Sequence, residues 1–213
     1  MNQLSEQNTS RVLVGITGAS GTLIAERLIA QLIPKVSRIY LCFTDAGKAV
    51  AQFELNPKRC CKVPSRILLD ALRNPAETEK TTNIRLFRND DLFTPVASGT
   101  AAATHMVIVP SSMGTIGRIA HGVSANLIER AADVMLKQKR PLLVCPRESP
   151  FNTIHLRNML ELSQAGAHLI PMMPGFYHHP QTILDTVDFC VGRILESLKI
   201  SHELYRPWTE SRL

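Results

Sequence analysis

Aromatic residues are scarce in this 213-residue chain: one tryptophan, three tyrosines and seven phenylalanines make up 5% of it. Proteins that hold single-stranded nucleic acid interleave aromatic rings with cations. Here the cations are spread along the chain and no recognition motif appears. The net charge of +6 therefore points to small anionic ligands such as phosphates rather than to nucleic acid. Long apolar runs are missing as well. None approaches the roughly 18 residues that a membrane span requires, and the polar opening MNQLSEQNTS lacks the apolar stretch of a secretory signal. The expectation is a cytoplasmic protein without a membrane anchor. Cysteines are few and odd in number: Cys42, Cys60, Cys61, Cys145 and Cys190. They lack the paired spacing of a zinc site or a disulfide framework and read as reduced, mostly buried thiols.

What is present suits one α/β domain over residues 1–213, with polar tails at 1–10 and 201–213: 45% of the residues are hydrophobic and 20% charged. Apolar runs rich in Val, Ile and Leu alternate with amphipathic segments. Residues 12–16 precede a helix at 23–32, residues 38–43 a helix at 46–53, and residues 105–109 a helical stretch reaching 136. After these come 141–145, a helix at about 153–164, a short run at 167–170 and a last helix near 183–198. Such alternation predicts a mostly parallel sheet with helices on both faces. Ligands then sit beyond the carboxyl ends of the strands, at a topological switch point, and the motifs below are expected there. Residues 56–91 break the pattern, with three prolines and one helix expected at 65–73. In the tail, Tyr205, Pro207 and Trp208 are the candidate anchors, expected to order against a neighbour or a ligand.

Residues 12–22 read VLVGITGASGT. The glycines fall as G-x-x-G-x-x-G, which is not the dinucleotide fingerprint. A strand entering a helix through Gly18, Ala19 and Ser20 brings N–H groups and a hydroxyl to a helix N-terminus, where an anion or a polar ring edge is welcome. The alternative reading is that Ser20 serves only as the helix cap. The sequence PSSMGT at 110–115 repeats the design, with Ser111 or Ser112 as ligand contact or cap. Arg130 and Lys137 stand two helical turns apart and share a face. CPRESP at 145–150 puts a charge pair, Arg147 and Glu148, after an apolar strand. In GFYHHPQT at 175–182 the adjacent His178 and His179 point apart in an extended loop, and no ligand set completes a metal site around them.

Taken in order, ITGASG, PSSMGT, ANLIERAADV, PRESP, HLRNMLELSQAGA and PGFYHHPQT resemble the UbiX-type flavin prenyltransferases from residue 11 to about 200. The resemblance implies a three-layer α/β/α sandwich of the flavodoxin-like or Rossmann-like kind, assembled as a homododecamer with active sites between subunits. It implies transfer of the dimethylallyl group of dimethylallyl monophosphate to reduced FMN, closing a ring across flavin N5 and C6. The prenylated FMN would serve a UbiD-type decarboxylase, often in ubiquinone biosynthesis. By the same resemblance Gly18, Ala19, Ser20, Thr44, Ser112, Met113, Gly114, Thr115 and Arg147 contact FMN. Glu54 assists proton transfer beside the flavin. Gly99, Arg130, Lys137, Glu148, Tyr177 and Arg193 form the prenyl-phosphate pocket, and Trp208 covers it. Ser20, Glu54, Lys137, Glu148 and Tyr177 are thereby the expected catalytic set.

That set suits the chemistry. Departure of phosphate from an allylic carbon builds negative charge that Lys137, Arg193 and Arg130, with the Tyr177 hydroxyl, can stabilise without a metal. Tyr177 or Trp208 can face the allyl cation. Two other readings share the flavin. A flavin-dependent cysteine decarboxylase would carry an asparagine-rich PxMNxxMW signature, which is absent. A non-catalytic carrier of FMN or prenylated FMN would have no use for a leaving-group pocket. Ser111 and Gly114 stand where the family often has Cys and Lys, Thr44 replaces a common serine, and the link between Glu54 and Ala97 is longer than usual.

Overall fold

The computed structural model describes residues 10–56, 65–101 and 103–206. In chain order the strands are β1 (Arg11–Ile16), β2 (Arg38–Phe43), β3 (Ile84–Arg88), β4 (His105–Ser111), β5 (Leu142–Pro146) and β6 (His168–Leu169). The helices are α1 (Thr22–Leu32), α2 (Asp45–Glu54), α3 (Ile67–Arg73), α4 (Pro75–Thr81), α5 (Met113–Ala120), α6 (Leu127–Lys137), α7 (Thr153–Gln164) and α8 (Ile183–Ser197). The strands form one sheet in the order β3-β2-β1-β4-β5-β6, and every neighbouring pair is parallel.

Alternation along the strands divides the core. Val12, Val14 and Ile16 face a cluster shared with α1, α2, α3 and α8. Leu13 turns to the opposite cluster, filled by α5, α6 and α7. Helix α1 shows why the pattern works: Ala25, Leu28, Ile29 and Leu32 recur at helical spacing and are fully buried, each large side chain contributing about 1.5–3 kcal/mol. The α/β/α sandwich is as expected. The chain leaves β3 at one edge and returns to β4 beside β1, so the switch point lies between β1 and β4.

Three expectations need correction. Residues 65–91 hold two helices and an edge strand rather than one helix. Pro75 opens α4 at a position where its missing N–H is no loss. Strand β3, IRLFR, has only Ile84 fully buried, so it gave no apolar run to read; Arg85 and Arg88 suit an edge. Second, the helical stretch after β4 is two helices, interrupted at 121–126, where Gly122 takes φ 70° and Asn126 caps α6 by accepting from Glu129 N–H. Third, the tail to Arg206 packs on its own chain, with the Tyr205 ring 4.9 Å from that of Phe189. Pro207 and Trp208 lie outside the described residues, as do Cys60 and Cys61. Cys42, Cys145 and Cys190 are buried free thiols. Burial pushes the Cys42 thiol up to about 12 and that of Cys190 up to about 11, so they are unreactive.

Candidate functional site

Two loops leave the carboxyl edge at the switch point, and Thr17 stitches them together. Its hydroxyl donates to Pro110 O at 2.9 Å and accepts from Ser112 N–H at 2.7 Å; its N–H reaches Pro110 O at 3.2 Å. The first loop also leans on α2. A Cβ on Gly18 would stand 2.5 Å from that of Ala46, so this glycine is required by the packing of the loop on the helix. Gly18 itself is exposed and Ala19 buried.

The N-terminus of α1 is capped from elsewhere. Its N-cap residue is Gly21, so Ser20 does not take the cap position. Instead the Glu54 carboxylate, from the end of α2, accepts from Gly21 N–H at 3.0 Å, Thr22 N–H at 2.9 Å and the Thr22 hydroxyl at 2.7 Å. Partial burial would raise the Glu54 pKa; hydrogen bonds from the Ser20 and Thr22 hydroxyls and the two N–H groups outweigh it and hold the pKa below the ordinary carboxylate range. Ser20 and Glu54, two members of the expected catalytic set, are thus brought together. The result is an ionised carboxylate fixed at the N-terminus of α1, beside the carboxyl edge of the sheet.

In the second loop Ser112 is the cap of α5, accepting from Thr115 N–H at 3.3 Å, and its hydroxyl lies 3.0 Å from that of Thr115. Met113 and Thr115 are buried and Gly114 exposed. Ser111, fully buried at the end of β4, leaves its hydroxyl oxygen without a partner. Thr44 caps α2 through Gly47 N–H at 3.0 Å. Arg147 N–H donates to Ser111 O at 3.2 Å, and Glu148 accepts from Ser149 N–H at 3.1 Å. No ion pair joins Arg147 to Glu148 among the described residues. All of these groups line the carboxyl edge.

Gly99 and Lys137 do not share that edge. Helix α6 starts there, where Asn89, just past β3, accepts from Leu127 N–H at 2.8 Å and Ile128 N–H at 3.2 Å. Its 11 residues carry it roughly 16 Å to the amino edge, where Pro141 O accepts from Met106 N–H at 3.0 Å at the start of β4. Lys137, exposed, ends the helix there. Gly99 lies beside it: Arg140 holds Gly99 O at 3.0 Å and Ala103 O at 3.2 Å. Arg130 pairs with Asp133 at 2.9 Å and reaches Ala97 O at 3.3 Å. The expectation that every motif falls at the carboxyl ends is therefore wrong for Gly99 and Lys137, because α6 runs antiparallel to the strands it covers. Arg193 lies on α8, across the sheet from α6, where its guanidinium meets Tyr205, Glu196 and Tyr177.

Sequence reasoning missed Thr17 and Thr22, although both stand in the quoted ITGASGT, because their work is done for residues far along the chain. It also missed Glu26, buried on α1, which accepts from Ile67 N–H at 2.7 Å, Leu68 N–H at 2.8 Å and the Ser65 hydroxyl at 2.5 Å, and so caps α3. A lone glutamate in an apolar helical stripe is its only mark. Among the described residues no cluster of His, Cys, Asp and Glu is arranged to hold a metal.

Comparison with known proteins supplies the family. A family model described as Flavoprotein matches residues 1–206. The flavin prenyltransferase UbiX of Halalkalibacterium halodurans is 44% identical over 199 residues, 93% of each chain. The crystal structure of AnUbiX in complex with FMN and dimethylallyl pyrophosphate superposes with a TM-score of 0.80 at 33% identity, covering 95% of this chain and 98% of that one. A dodecameric FMN-dependent UbiX-like decarboxylase from Escherichia coli has a TM-score of 0.78 at 32% identity, covering 93% and 99%.

Proposed function

The chain belongs to the Flavoprotein family and within it to the UbiX-type flavin prenyltransferases, and from that premise we propose how its own residues carry out the transfer. The reaction joins the dimethylallyl group of a dimethylallyl phosphate to reduced FMN, releasing phosphate and giving prenylated FMN. The observation that carries the assignment to this crevice is the pair of loops stitched by Thr17, with Glu54 fixed at their lip.

These residues fit a flavin. The unpartnered hydroxyl of buried Ser111 lies at the end of β4, and the exposed Gly18 opens the first loop. FMN, when bound, supplies the nucleophilic ring edge at N5 and C6. Gly18, Ala19, Ser20, Thr44, Ser112, Met113, Gly114, Thr115 and Arg147 hold it. Glu54, kept ionised, takes up the proton lost during ring closure.

Lys137, Arg130, Arg193 and Tyr177 hold the prenyl phosphate and stabilise the departing charge, with Gly99 and Glu148 in the same pocket; Trp208, expected by resemblance to cover it, lies outside the described residues. The separation of α6 from α8 within one chain supports a homo-oligomer, with the pocket completed by residues of neighbouring copies. Twelve copies is the favoured count, after the Escherichia coli structure. Exposed apolar residues on α7, Ile154, Leu156 and Leu160, suit such burial. On this reading the protein works in the cytoplasm and passes prenylated FMN to a UbiD-type decarboxylase.

The test is anaerobic incubation of the protein with reduced FMN and either dimethylallyl monophosphate or the pyrophosphate, followed by mass spectrometry of the flavin. A gain of one C5 unit with the monophosphate is expected. Bound FMN of unchanged mass with both donors would overturn the proposal and favour a carrier.

A further inference from the structure

Among the described tail residues, Tyr205 packs its ring against α8. Its ring lies 4.9 Å from that of Phe189, 5.3 Å from His202 and 6.2 Å from His178, centroid to centroid. Gly192 makes the room: a Cβ there would stand 2.3 Å from Tyr205 Cε1. With the ring seated in this notch on α8, its hydroxyl donates to Glu196 Oε1 at 2.5 Å. Burial and that bond push the phenol up to about 12, so the donor proton stays in place at neutral pH. The other carboxylate oxygen, Oε2, takes the hydrogen bond of Arg193 NH1, and His202 Nε2 lies 3.5 Å from Oε1. The Arg193 guanidinium also neighbours the Tyr205 hydroxyl, which raises the arginine's pKa.

An arginine whose side chain is 56% exposed ordinarily samples many rotamers, and fixing it on a ligand costs that freedom. Here two partners have already fixed it, while its remaining N–H groups are available to an anion. We propose that Tyr205 is a positioning residue of this enzyme: seated in the Gly192 notch, it holds Glu196 and Arg193 so that the guanidinium is preorganised for the phosphate of the prenyl donor. This rests on the reading of Arg193 as a phosphate contact.

The experiment measures, by calorimetry on the full FMN-loaded protein, the affinity for dimethylallyl monophosphate, and separately that of the flavin-free protein for FMN. Tyr205→Phe keeps the ring and removes the hydroxyl; it should weaken donor binding roughly tenfold, the scale of one hydrogen bond to a charged group, and leave FMN affinity unchanged. Gly192→Ala, which expels the ring, should do the same. Arg193→Ala should weaken donor binding further, and adding Tyr205→Phe to it should cost nothing more, because the tyrosine acts through the arginine. Unchanged donor affinity in Tyr205→Phe, or additive losses in the double variant, overturns the relay while leaving Arg193 as a phosphate contact. Unchanged donor affinity in Arg193→Ala removes the premise, and the relay with it.

Discussion

At the scale of single residues, two glutamates do the same work for different purposes. Glu26 is fully buried and satisfies the first N–H groups of α3. Replacing it by alanine leaves those donors unpaired in the core, and a loss of about 2–4 kcal/mol is expected in urea denaturation. Glu54 caps α1 from the rim of the crevice. Its pKa is lowered in the fold, so its contribution to stability is complete above the unfolded-state value near 4.3 and fades as pH falls through the folded-state value. A denaturation series on Glu54→Gln should therefore show a deficit at pH 7 that closes in acid. A deficit independent of pH would mean that the charge is not what caps the helix. Turnover of the same variant should fall on the order of a hundredfold, the usual worth of a general base.

Among elements, the helix starts at the carboxyl edge are where sequence and site meet. Thr44 caps α2 and Ser112 caps α5 with their own side chains, which a local reading anticipates. Helices α1 and α3 are capped by carboxylates from other elements, which no local pattern announces. Ser112→Ala should cost about 1 kcal/mol of stability and weaken FMN binding, read by fluorescence titration, since the loop loses its tie to Thr115. Stability lost with FMN affinity intact would leave Ser112 a cap alone. The edge strand β3 and helix α4 escaped the sequence reading for a related reason. Helix α4 is polar and β3 mixes apolar residues with arginines, and they exist because α3 and β2 offer them a place to dock.

For the whole molecule, the residues proposed for the phosphate pocket stand apart in one chain, Lys137 on α6 and Arg193 on α8, on opposite faces of the sheet. Leu156 and Leu160, 53% and 57% exposed on α7, are expected at a contact between copies. Sedimentation should give a particle of about twelve chains, and Leu156→Asp with Leu160→Asp should reduce it to smaller species that still bind FMN weakly but have lost turnover. The native assembly size in that double variant would place the contact elsewhere. The parallel sheet, its two helical layers and the position of the two glycine- and hydroxyl-bearing loops were legible in the sequence because alternation, glycine spacing and hydroxyls at strand ends are local and periodic. The residues proposed for the phosphate pocket rest on the resemblance. Only the tertiary structure decided that Glu54 serves α1, that Tyr205 seats against Gly192, and that Lys137 and Gly99 stand at the opposite edge from Glu54. Those facts depend on the direction of α6 and on contacts between residues distant in the chain, which periodicity does not encode.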